Sequence, residues 1–179
     1  MKVTLSIDSK QSTEIKPSDL ATIIGDLPDD LAHAILFAPL CDHPSSEVRC
    51  AIAGLSYMSS DTLEILARDA SIEAVRQVAN NKRALQTFKA PLILEMIRRD
   101  VSVALEISGN LSWILVNEIR EEVIQALLLH TDSQVVEATR DFKDKVDERQ
   151  RRRMRFPRPF GPPFHRNHKI EDDSEDWPD

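Results

Sequence analysis

The chain has 179 residues, 41% hydrophobic and 5% aromatic, with 4 glycines and a formal charge of −7. That length suits one domain with a real core, and few glycines among many Leu, Ile, Ala, Glu and Arg favour helices over a sheet-rich fold. No apolar run approaches the roughly 18 residues of a membrane span and the first residues lack a signal-peptide core, so a soluble, cytoplasmic protein is expected.

Taken in chain order, MKVTLSID comes first and alternates Val3, Leu5 and Ile7 like a half-buried strand. A lone strand has no partner in an all-α domain, so residues 1–17 are expected to be loosely attached or to contact another chain. Ser18 is placed to cap a short helix through Ile24. Four apolar helical runs follow: LPDDLAHAILFAPLCD (27–42), SSDTLEILARD (59–69), APLILEMIRRD (90–100) and EEVIQALLLHTD (121–132). Leu63, Leu66 and Ala67, or Leu92, Met96 and Ile97, recur at helical spacing and form one buried stripe. Pro28 before Asp29 and Asp30, Ser60 with Asp61, and Pro91 mark their starts.

A second helix follows the Asp that ends each run. Its apolar positions are Val48, Ala51, Ile52 and Leu55 in one unit, and Val75, Val78 and Ala79 in the next. Aligning Val48 with Val75 also aligns Arg49 with Arg76 and Asp42 with Asp69. Leu105 and Asn110 then fall where Val75 and Asn80 do, and a weaker copy opens at Asp132 and runs through Val136 and Ala138. The chain therefore reads as a repeated helix pair. A pair cannot cover its own apolar face, so pairs stack and share a continuous core. Asp42 and Asp69 are placed to cap the second helix of their units, and the Arg seven residues later to reach back to the same carboxylate. In the third unit Glu106 stands where that Arg should be. NNKRALQTFKA (80–90) fits the repeat poorly and suggests an extra helical turn. LSWILVNEI (111–119) reads as a buried helix of its own or as the start of 121–130.

The phrase Asp-x5-Val-Arg, followed by a Leu-x-x-Leu-Ala-x-Asp helix, resembles the leucine-rich repeat variant, a HEAT-like bacterial α-solenoid repeat. The resemblance is strongest over 42–81 and extends more loosely to about residue 141. It implies a right-handed superhelix of antiparallel helix pairs, an architecture commonly used to hold other macromolecules. The expected organisation is all-α: a short α-solenoid over 18–146, preceded by the segment 1–17 and followed by a disordered tail, 147–179. One member type of that family carries a cysteine-rich iron–sulfur module, and this sequence holds no such cluster.

The tail is different material. Residues 149–179 hold 8 Arg/Lys against 6 Asp/Glu, which leaves −9 on the remainder. An acidic body argues against a broad nucleic-acid footprint there. RQRRRMRFPRPFGPPFHRNHK (149–169) mixes Arg with Pro and Phe, and IEDDSEDWPD (170–179) is acidic. Dense charge and low aliphatic content predict disorder, with the last helix persisting through the Arg run and breaking at Pro157.

Two function classes are expected. In the first, a non-enzymatic scaffold binds a peptide or helix of another protein. Arg49, Arg76, Glu106 and Glu137 face its groove as a charge ladder, and Arg151, Arg152, Arg153, Arg155, Phe156, Phe160 and Trp177 supply a tail contact. Against this, Arg49 and Arg76 brace their own corners and the tail only solubilises. In the second, the Arg/Phe tail binds RNA or DNA through phosphates and base stacking. No nucleophile elbow, phosphate loop or HExxH occurs, so no catalytic residue and no cofactor are assigned. Cys41, His43, Cys50 and His130 do not form a recognised zinc spacing, and two cysteines make no disulfide framework, so no metal site is assigned either. His33 reads as a packed or surface histidine.

Overall fold

Helices of about eight residues do not persist alone in water, so each must be held by the face it buries. The computed structural model describes residues 3–7 and 11–155. The expected break at Pro157, the disordered tail and the contacts of Phe156, Phe160 and Trp177 lie outside the described residues, as do the side chains of Arg153 and Arg155. The helices are α1 (Pro17–Asp26), α2 (Leu31–Phe37), α3 (Ser46–Ala53), α4 (Ser60–Ala67), α5 (Ile72–Ala79), α6 (Lys82–Thr87), α7 (Ala90–Ile97), α8 (Val101–Gly109), α9 (Asn117–Leu128) and α10 (Ser133–Arg155). Turns of 3-10 helix, Ala38–Asp42 and Leu111–Trp113, prolong α2 and follow α8.

The buried residues show why these segments are helical. In α4 they are Thr62, Leu63, Leu66 and Ala67; in α5, Ala74, Val75, Val78 and Ala79; in α7, after Ala90 at its start, Leu92, Ile93, Met96 and Ile97. Each set occupies adjacent pairs of positions one turn apart, the stripe of a helix packed on one side. Full burial of one such Leu, Ile or Val contributes about 2 kcal/mol. The stripes merge into a single cluster running from Leu20 to Val135. Neighbours pack in a fixed order: α1 on α3, α3 on α5 and α5 on α8, and beside them α4 on α7 and α7 on α9. Cross-contacts of α4 with α5, α7 with α8, and α8 with α9 join the two series.

Several boundaries differ from expectation for local reasons. Pro17, with its preset φ, opens α1, so Ser18 lies inside the helix and its carbonyl accepts a bond from Thr22 Oγ1. Helix α2 starts after Asp30, whose carboxylate accepts the His33 N–H at 3.0 Å. Ser59, not Ser60, caps α4 through the Thr62 N–H. Pro91 does sit in the first turn of α7. Residues 80–90 hold a whole helix, α6, while 111–119 split between a 3-10 turn and the start of α9.

The larger departure is at the N-terminus. Thr4–Ile7 is a strand, β1, but its partner is Gln11–Glu14, β2, in an antiparallel hairpin that pairs Thr4 with Glu14 and Ser6 with Ser12. The fold is therefore mostly helical rather than all-α. An Ile15 N–H bond to the Val3 carbonyl extends the pairing, and both side chains pack against the helical core. Polar β2 carries no strand signature of its own. Contact of Val3 and Ile15 with the helices, not strand propensity, holds it in place. At the other end α10 runs unbroken through the Arg run to Arg155, and the chain divides into separate units after Asp144. Among the described residues no helix is long and apolar enough to cross a membrane.

Candidate docking site

The repeated corners come first, because they decide which charged side chains remain free. Arg49 does not turn back to Asp42. Its Nε and one terminal nitrogen donate to Asp69 at 2.6 and 2.9 Å, and its other terminal nitrogen donates to the His43 and Pro44 carbonyls at 2.6 and 3.0 Å. With side-chain exposures of 14% for Arg49 and 9% for Asp69, this fork ties one corner to the next. Asp42 is exposed. The capping role expected of it passes to His43, whose Nδ1 accepts the Ser45 N–H ahead of α3.

Asp69 also accepts the Ser71 N–H at 2.7 Å. Burial pushes its carboxyl up, but the bonds from Arg49 and Ser71 and the fields of Arg49 and Arg99 outweigh that and hold it below the usual carboxylate range. Arg99 completes the corner by donating to the Asp69 and Ala67 carbonyls at the end of α4.

Arg76 behaves differently from its repeat mate. It pairs with Glu73 one turn back on α5, at 2.8 and 3.1 Å, and remains 40% exposed. Glu73's bonds raise the Arg76 guanidinium first, with a smaller contribution from the field of Glu106 on α8. Glu106 is half-buried and Glu137, on α10, is exposed. Of the four expected ladder residues, Arg76 lies within the field of Glu106, while Arg49 is consumed by Asp69. Arg149, Arg151 and Arg152 are exposed on α10, with Arg152 paired to Glu148.

Sequence reasoning missed two features. Asn81 is buried, donates to the Ala53 and Leu55 carbonyls at 2.9 and 3.0 Å, and caps α6 by accepting the Arg83 and Ala84 N–H groups. It ties the end of α3 to the start of α6. The second is an apolar cleft of about 570 Å³ between the hairpin, α1 and α2. Val3, Ile15, Ile23, Leu27, Leu36 and Phe37 are among its lining residues, and among the described residues there Thr4 is the one polar side chain. Ile23 and Leu36 lie 42% and 64% exposed on its walls. Leu31 and Ile35 add two more open apolar side chains on α2, at 60% and 66%.

Burial, then the carboxylate of Asp42, pushes the Cys41 thiol up; burial, then Glu73 and Asp69, does the same for Cys50. Both therefore stay protonated near neutrality. His33 rests its Nδ1 2.9 Å from Asp30 and stacks on Phe37. Among the described residues no group of three His, Cys, Asp or Glu side chains is arranged to hold a metal ion. No protein-family model, curated protein or solved structure matches the chain.

Proposed function

We propose that this protein is a non-catalytic interaction scaffold, a short α-solenoid of stacked helix pairs that holds a peptide or helix of another protein. The observation that carries the reading is the ordered packing of one helix series, α1–α3–α5–α8, beside a second, α4–α7–α9, through one continuous core. Units of this kind share their apolar faces with neighbours and leave their outer helix surfaces for binding. Arg76, Glu106 and Glu137 supply charge that orients a partner, and the Arg/Phe tail adds a second contact by linkage. Arg49 is left out of the contact set, because its donors are already engaged.

The test is affinity capture from nuclease-treated extract, comparing the full chain with an Arg76→Glu, Glu106→Arg charge swap. A protein captured by the first and lost by the second supports the reading; capture unaffected by the swap removes the helix face from it. A second reading, nucleic-acid binding, is favoured by the exposed Arg149, Arg151 and Arg152 on α10. In that case binding of labelled RNA or DNA falls steeply with salt and disappears in a chain ending at residue 146.

A further inference from the structure

We infer that the apolar cleft between the hairpin, α1 and α2 docks an amphipathic, lysine- or arginine-bearing helix of a partner protein. This deepens the scaffold reading and rests on it. The cleft's apolar character follows from Val3, Ile15, Ile23, Leu27, Leu36 and Phe37, and its volume of about 570 Å³ accepts several large aliphatic or aromatic side chains. Ile23 and Leu36 stand open to solvent, the arrangement in which a helix lays its apolar face into a groove.

Charge selects among apolar occupants. Residues 11–42 carry six carboxylates against one lysine. Two of these are placed to act on an occupant. Asp19 and Asp26 lie one turn before and one turn after Ile23 on α1, both exposed. On the helix they fall on the solvent side of Ile23, opposite the side on which Leu20, Ile24 and Leu27 turn inward. Asp29 does not count towards this edge, because its carboxylate is spent on the Ser56 N–H at 2.9 and 3.0 Å. An apolar floor with a carboxylate edge favours a cationic amphipathic helix. It disfavours a fatty-acid head group or a phosphate backbone, which the same carboxylates repel.

The probe is a labelled 15-residue designed helix with a leucine stripe and flanking lysines, set against the same peptide with glutamate in place of lysine. Titration by fluorescence anisotropy at moderate salt gives the affinities, and amide chemical-shift mapping on the full chain gives the site. The lysine peptide should bind at least ~10-fold more tightly than the glutamate peptide, and Leu36→Asp should weaken it by a further ~10-fold. Asp19→Asn with Asp26→Asn should narrow the difference between the peptides. Leu36, Asp19 and Asp26 are exposed, so helicity by circular dichroism should be unchanged in all variants. Shifts centred on Ile23, Leu27 and Leu36 support the assignment. Shifts confined to the Arg76 and Glu106 face overturn it while leaving the scaffold reading standing. Equal affinity for the two peptides, no binding of either, or oleate occupying the cleft where the lysine peptide does not, each overturns it.

Discussion

The corner at Asp69 and the corner at Asp100 are written in similar letters and built differently. Both carboxylates accept the N–H of a serine two residues on, at 2.7 Å for Ser71 and 2.8 Å for Ser102. Asp69 is in addition largely shielded beneath a two-point fork from Arg49, whereas the Asp100 carboxylate bonds only within its own turn, adding the Ser102 hydroxyl at 2.6 Å. The Arg76 that would have matched Arg49 turns to Glu73 instead. A repeated capping turn is thus a local device, set by an Asp that accepts the N–H two residues on, as Asp132 also does from Gln134. The carboxylate fork between corners is a separate device, made where Arg49 meets Asp69 in a site shielded from water, whereas Arg99 beside Asp100 reaches the neighbouring corner through backbone carbonyls.

The comparison is broken most directly by removing the two carboxylates. Asp69→Ala leaves a largely buried guanidinium without its partner and should lower the unfolding free energy by about 3 kcal/mol, read from urea denaturation. Asp100→Ala removes one exposed cap and should shift the midpoint much less. Equal losses would show that the fork contributes nothing beyond the cap. Asn81→Ala should follow at about 2 kcal/mol, since it leaves the buried Ala53 and Leu55 carbonyls unpaired and uncaps α6.

Acid sharpens the same contrast. Asp69's carboxyl is held below its ordinary value in the folded chain, so its contribution is present above the unfolded value and is lost as pH falls through the folded one. The stability gap between the natural chain and Asp69→Asn should therefore be full at neutral pH and close progressively below about pH 4, the ordinary aspartate range. Arg49 stays charged throughout this range, so the loss belongs to the carboxylate. A gap independent of pH would mean that the carboxylate charge is not what holds Arg49.

What the sequence discloses follows the range of the interactions. Helix spacing shows in Leu63, Leu66 and Ala67 because burial repeats every turn within eight residues. At 80–90 the misfit shows because the segment is too long for the repeat, but it suggests one extra turn where a whole helix, α6, stands. Arg49's true partner does not show, since Asp69 lies twenty residues away and in the next unit. The nearer Asp42 is the obvious candidate, but it stays exposed. β2 is hidden because Gln11–Glu14 is polar and is held by contacts flanking it at Val3 and Ile15. The cleft is equally hidden: Val3 reads as part of a half-buried strand, Ile23 and Leu36 stand unremarked within helical runs, and only the packing of three elements leaves them facing an opening.

The smallest effect tests the contrast from the arginine side. Arg76 and Arg49 occupy the same place in the repeated phrase, so a sequence-based expectation assigns them the same stabilising role. Their surroundings predict otherwise. Arg76 holds an exposed partner one turn away on its own helix, where solvent and salt screen the attraction and ordering two long side chains offsets most of the gain. Arg76→Ala should leave the urea midpoint unchanged within error, and adding salt should not alter that result. Arg49→Ala should cost nearly as much as Asp69→Ala, and in the double variant the two losses should fail to add, because each removes the same fork. Additive losses at Arg49 and Asp69, or a clear loss at Arg76, would erase the distinction between the corner whose carboxylate holds a neighbouring arginine and the one whose carboxylate only caps.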